Sequence, residues 1–214
     1  MHNGSMNRCL PLACTLLLGS ALADSLEGTY HVTRTLSGGR QEQGTLRITA
    51  AGKALSFNWD GGKVTGLGLR LGDRVAVAYG NPDCGVAAYQ QTGGTFTGLW
   101  TLSGQATGTE TFNWDGLKPA RVPLSGRNPD GSTYSGELLL PLQDGHSLPQ
   151  WRIGQDKTAG AALLQNGFLA TAFGSETCNV ALFEVRAGPG ELGGRFFTLS
   201  RGGPAWVAEV ASRR

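Results

Sequence analysis

The chain has 214 residues, with 18 Lys or Arg against 16 Asp or Glu and a formal charge of +2. The basic residues stand singly among acids, which argues against nucleic acid as a partner, because a phosphate-backbone binder needs a concentrated basic surface. Apolar residues make up 40% of the chain, enough for real cores, and 34 glycines are far too many for a helical protein.

Residues 1–23 read as a signal peptide. Arg8 supplies the positive charge, Cys9 to Leu18 the apolar stretch and Ala21-Leu22-Ala23 a small-residue cleavage site before Asp24. A secreted or periplasmic location is expected. Without Arg8 the mature chain carries 17 basic and 16 acidic residues. No other segment is apolar for the ~18 residues of a spanning helix, so no transmembrane segment is expected in the mature chain.

From residue 30 onward the chain alternates apolar and polar residues with period two, each run ending at a glycine-rich turn. Tyr30/Val32, Leu46/Ile48, Phe57/Trp59, Leu67/Leu69/Leu71, Val75/Val77/Tyr79, Val86 and Phe96/Trp100 mark successive strands, and Thr109 to Trp114 adds an eighth. Ser37-Gly38-Gly39, Ala51-Gly52-Lys53, Asp60-Gly61-Gly62, Gly72-Asp73, Asn81-Pro82-Asp83 and Gly93-Gly94 supply turns, where residues that tolerate positive φ are required. Within 75–79, Ala76 and Ala78 alternate with large residues, as expected where small side chains face a crowded side. Gly116 to Ser125, with Pro119 and Pro123, reads as a linker.

Residues 118–210 then repeat residues 26–112. Leu46/Leu138, Ile48/Leu140 and Trp59/Trp151 match at a spacing of 92, Tyr79/Phe173, Gly80/Gly174, Cys84/Cys178 and Tyr89/Phe183 at 94, and Gly98/Gly194 and Trp100/Phe196 at 96. The slips fall where turn residues cluster, as insertions in hairpin loops do. Residues 157–173 are rich in Ala and Leu and would read as a helix by propensity. Their counterparts, 64–79, are strand-like, so the second copy is read as strand too.

The expected fold is all-β: two tandem small antiparallel up-and-down β-barrels of about eight strands, over residues 24–117 and 118–214. Closure removes the exposed edges of a meander. Paired sandwiches or one composite barrel are the alternatives. The interiors are expected to be packed with Trp, Phe, Tyr and Leu rather than open. The two mature cysteines, Cys84 and Cys178, hold equivalent positions, which touch only near the pseudo-twofold axis; a disulfide and a pair of buried thiols both stay open.

The stretch Asn128-Pro129-Asp130-Gly131-Ser132-Thr133-Tyr134-Ser135-Gly136, then a Trp and Cys178-Asn179-Val180, resembles a family of secreted bacterial tandem all-β proteins labelled fibronectin-binding-like. The Gly-x-Trp closure, Gly98-Leu99-Trp100, is similar to that of avidin-like and other calycin barrels. The resemblance spans nearly all of the mature chain and implies β-barrel units, carrying no binding residues with it.

Chemistry-bearing patterns are sparse. Phe57-Asn58-Trp59-Asp60-Gly61 and Phe112-Asn113-Trp114-Asp115-Gly116 repeat 55 residues apart, out of step with the duplication. Trp59 with Asn58 and Asp60 offers a stacking face and hydrogen bonds for a sugar, although Phe and Trp two apart also share one core-facing side of a strand before an Asp-Gly turn. His31 and His146 fit no metal-ligand spacing, and no metal or cofactor is expected. Glu110 and Glu209 close the two copies, either as facing carboxylates or as solvated strand residues. No serine sits in a nucleophile elbow.

These features point to a non-enzymatic secreted or periplasmic binding module whose ligand is a protein, glycan or envelope component. A calycin-like carrier of a small hydrophobic ligand, with a barrel mouth lined by Trp59, Trp100 or Trp151, is the alternative, and a hydrolase a minor one.

Overall fold

The computed structural model describes residues 25–175, 177–186, 190–200 and 203–213, so the signal segment lies outside the described residues. Seventeen strands follow one another with no helix among them: β1 Gly28–Thr35, β2 Gln41–Ala51, β3 Ala54–Trp59, β4 Val64–Leu71, β5 Arg74–Tyr79, β6 Gly85–Thr92, β7 Thr95–Thr101, β8 Gly108–Asn113, β9 Ala120–Arg127, β10 Thr133–Leu140, β11 His146–Ser147, β12 Gln150–Ile153, β13 Asp156–Gln165, β14 Phe168–Phe173, β15 Asn179–Val185, β16 Glu191–Ser200 and β17 Gly203–Arg213. The Ala- and Leu-rich stretch 157–173 is indeed strand, spread over β13 and β14. Tertiary pairing overrides its helical propensity. β11 and β12 pair with β13 in a single register broken at Leu148-Pro149, so they act as one strand.

The strands close into two eight-stranded antiparallel barrels, but the sequence copies do not coincide with them. One barrel, here the terminal barrel, has the order β1-β17-β16-β15-β5-β4-β3-β2. The other, the central barrel, runs consecutively from β6 to β14 and closes through β14–β6 pairing. Each copy therefore gives its early strands to one barrel and its last three to the other. The division at 117/118 separates the copies; the barrels divide between Tyr79 and Gly85 and again between Phe173 and Asn179. The linker is also shorter than its prolines suggest. Pro123 lies within β9, just past the last β8–β9 pair, Phe112 with Leu124, where its missing N–H interrupts no β8 ladder.

The exchange explains why four strands are apolar on both faces. Val75, Val77 and Phe183 point into the terminal barrel, and Ala87, Tyr89 and Leu169 into the central one. The alternate residues Ala76, Ala78, Val180 and Leu182 meet Val86, Ala88, Ala170 and Ala172 in a third core between the barrels. Small side chains on this second face let the two sheet surfaces approach closely.

The two crossovers lie side by side. Gly80 and Gly174, at φ +101° and +127°, turn the chain out of β5 and β14 in a conformation that only glycine adopts without strain. Four residues later Cys84 and Cys178 form a disulfide, with Cα atoms 5.6 Å apart, that ties one crossover to the other. The equivalent cysteines thus sit at the pseudo-twofold axis. Because the bond closes a long loop in the unfolded chain, replacing both cysteines by serine is expected to cost about 2–4 kcal/mol in urea unfolding. A change below about 1 kcal/mol would show that strand pairing alone fixes the crossovers.

Candidate functional site

Each barrel holds one buried carboxylate, and the two sites are built from equivalent positions. On β8, Glu110 shares an inward face with Phe112; on β17, Glu209 shares one with Ala211. They are 4% and 1% exposed, neither solvated nor facing each other, which corrects both sequence readings. Each accepts a hydrogen bond from the tryptophan of the other copy: Trp151 Nε1 to Glu110 Oε2 at 3.3 Å, and Trp59 Nε1 to Glu209 Oε1 at 3.2 Å. The exchange of strands is what brings these partners together.

The two carboxylates then part in chemistry. Directly across from Glu209 lies Arg34, whose Nε donates to Glu209 Oε2 at 2.8 Å while Nη1 reaches Asp60 Oδ2 at 2.7 Å. Asp60 also accepts from the Thr45 amide at 2.9 Å. Burial pushes the Glu209 carboxyl up, though Arg34 and Trp59 pull against it, whereas the backbone bond and Arg34 hold Asp60 below the ordinary range despite its own desolvation. Phe196 packs edge-on against Trp59 and Tyr79, and Phe183 stacks on Trp59. Rings and guanidinium thus pack around this carboxylate inside the barrel.

In the central barrel the residue across from Glu110 is Gly126, the counterpart of Arg34. A Cβ there would collide with the Tyr134 ring, which lies over the glycine. Tyr134 donates its hydroxyl to Glu110 Oε1 at 2.9 Å, and Tyr89 donates to Oε2 at 2.6 Å. Gly98, cross-strand from both Tyr89 and Glu110, leaves the space in which the Tyr89 ring lies. Burial raises the Glu110 carboxyl above its ordinary value, and the three donors pull it back only in part. Burial beside this carboxylate raises both tyrosines, so their hydroxyls stay protonated and remain donors.

Above Glu110 the central barrel opens into a cavity of about 340 Å³ lined by Trp100, Tyr134, Trp151, Phe173, Leu102 and Ile153, with Tyr89, Asn128, Thr158 and Gly174 completing it. Trp100 lies flat over Gly108, its cross-strand partner, where a Cβ would strike the indole. It meets Tyr134 and Phe173 edge-on, and Trp151 tilts against Phe173. The Trp100 Nε1 comes near the Tyr134 hydroxyl but completes no hydrogen bond.

The sequence-derived candidates therefore separate. Trp100 and Trp151 share the cavity. Trp59 is 3% exposed in the terminal barrel, Asn58 alternates with the buried Phe57 and Trp59, and Asp60 is occupied with Arg34. These three make no sugar site together. In the second pentapeptide Phe112 stacks on Phe96 and Trp114 donates to the Lys118 carbonyl at 2.9 Å, both structural roles. Tyr89, Tyr134 and Phe173 were missed as site residues. Tyr134 carries no signal beyond its place in a turn-flanking strand, but Tyr89 and Phe173 matched Phe183 and Tyr79, which marked inward-facing aromatic positions. Among the described residues no group of three or more His, Cys, Asp or Glu gathers as metal ligands.

The chain matches no family model, no curated protein and no solved structure with significance.

Proposed function

We propose that this is a secreted or periplasmic, non-enzymatic binding protein in which the central barrel takes a small, largely apolar ligand and the terminal barrel serves as a packed support. The observation that carries the reading is the asymmetry between equivalent sites. Where the terminal barrel holds Arg34, Phe183 and Phe196, the central barrel has Gly126, Tyr89 and Trp100, and these leave an aromatic-walled cavity of about 340 Å³. That size and lining match small-molecule sites, where apolar walls surround a few fixed polar groups. The disulfide supports an oxidising compartment. The carrier role agrees with the resemblance to calycin-like barrels.

A library of hydrophobic small molecules tests the reading by tryptophan fluorescence. Saturable quenching by at least one compound is expected, weakened about tenfold or more by Trp100→Ala, which removes a cavity wall. Trp59→Phe, in the terminal barrel, is expected to leave the affinity within about twofold. A library without any saturable response would overturn the proposal.

A further inference from the structure

The terminal barrel already shows what its buried carboxylate pairs with: a guanidinium. Arg34 lies directly across the strand from Glu209, held at 2.8 Å within the barrel. The central barrel keeps the carboxylate, the tryptophan donor and the strand register, and loses the cation, because the position across from Glu110 is Gly126. Among the described residues no Lys, Arg or His lines the cavity. Glu110 thus sits beneath an aromatic chamber with neutral donors alone, three against roughly four acceptor positions on a carboxylate.

The geometry points to a ligand that brings its own cation: a primary ammonium or guanidinium group on an apolar body, with the charge paired to Glu110 and the body enclosed by Trp100, Trp151, Phe173 and Tyr134. This rests on the cavity being a ligand site and deepens that reading. Two physical terms favour it. A buried carboxylate without a counter-ion is costly, and an incoming cation removes that cost. Ring faces around the chamber also attract a cation through their quadrupoles, which offsets part of the hydration it leaves behind. The cross-strand neighbour of Glu110 is a glycine beside the aromatic cavity, and that of Glu209 is the cation that pairs with it. The internal Arg34 is, on this view, the protein's own copy of the ligand's head group.

The test uses three matched probes on the same bodies, 2-naphthylmethylamine, 2-naphthylmethanol and 2-naphthoate, with octylamine, octanol and octanoate beside them, measured by calorimetry on the full mature chain at pH 7. The amines are expected to bind about tenfold tighter than the alcohols, and the carboxylates weakest. In Glu110→Gln the amine-to-alcohol ratio is expected to fall to about one, since the charge it reads is gone. A second variant, Gly126→Arg with Tyr134→Glu, installs the residues found at the equivalent cross-strand positions of the terminal barrel, Arg34 and Glu42, and its internal guanidinium should abolish the amine preference by occupying Glu110. Amines no tighter than alcohols, with alcohols bound, would overturn the cation inference and leave the ligand cavity standing. Failure of every probe, together with a silent hydrophobic library, would overturn both.

Discussion

Expressed alone, residues 85–173 are expected to fold into a closed eight-stranded barrel, whereas residues 24–117, the first sequence copy, are not. The central barrel is contiguous: β6 to β14 pair with their neighbours in chain order and β14 returns to β6. All of its interior core comes from this segment. The first copy instead supplies β1 to β5 of one barrel and β6 to β8 of the other, leaving β1 and β5 as open edges where β17 and β15 belong. Unpaired edges of that length recruit other chains. Two molecules of 24–117 complete each other by exchanging their last three strands, so a dimer or aggregate is expected and no stable monomer. The 85–173 fragment exposes Val86, Ala88, Phe168, Ala170 and Ala172, its half of the core between the barrels, and should self-associate as its concentration rises. Sedimentation with near-ultraviolet circular dichroism reads both outcomes. A cooperatively folding monomer of 24–117 would show that the pairing between copies is dispensable.

The β-meander was legible because its signals are local. Period-two runs and positive-φ turns fix where strands begin and end, and the copy alignment decided 157–173 against its propensity. Strand exchange left a fainter mark. An Asn81-Pro82-Asp83 turn reads alike whether the next strand folds back on β5 or crosses away, since both leave through a glycine and a tight bend. The informative sign was continuity: residues 75–79, 85–89, 168–172 and 180–183 are apolar or small without a break, and such runs belong to strands covered on both faces. Ala76 and Ala78 correctly marked a crowded side, but not what crowded it. The burial of the carboxylates is not legible in the same way: Glu110 keeps phase with Phe112, yet a carboxylate on a strand reads equally well as solvated. The partners that bury the charge, Trp151 for Glu110 and Trp59 for Glu209, lie in the opposite copy. The sequence offers Trp59, Trp100 or Trp151 at a barrel mouth but does not place them; Trp100 and Trp151 share the cavity, beside which Gly126 stands where the other barrel holds Arg34.

Replacing Arg34 by methionine keeps most of the side-chain volume and removes the cation, so it isolates what the guanidinium does for Glu209. The carboxylate is fully buried and would retain only the Trp59 hydrogen bond, while Asp60 would retain the Thr45 amide. Breaking a buried pair from one side costs about 3–5 kcal/mol, and a loss in that range is expected at pH 7. The pH dependence identifies the cause. Burial already places the folded Glu209 above its ordinary value, so its contribution to stability falls as pH rises from the usual carboxylate range through the raised one. Without Arg34 that elevation grows, and the folded variant holds a proton that the unfolded chain releases. The deficit relative to the parent chain should therefore shrink as pH falls toward the ordinary carboxylate value. Asp60 adds in the same direction, because its lowered value stabilises the parent chain above the ordinary range and that benefit fades on acidification. Adding Glu209→Gln to Arg34→Met removes the stranded charge and should return much of the lost stability at pH 7, leaving the pH dependence that the raised Glu110 carboxyl contributes. Urea unfolding across pH 5 to 8 provides the comparison. A deficit independent of pH, or one that the double variant leaves unchanged, would assign the role of Arg34 to packing of its stem instead of to its charge.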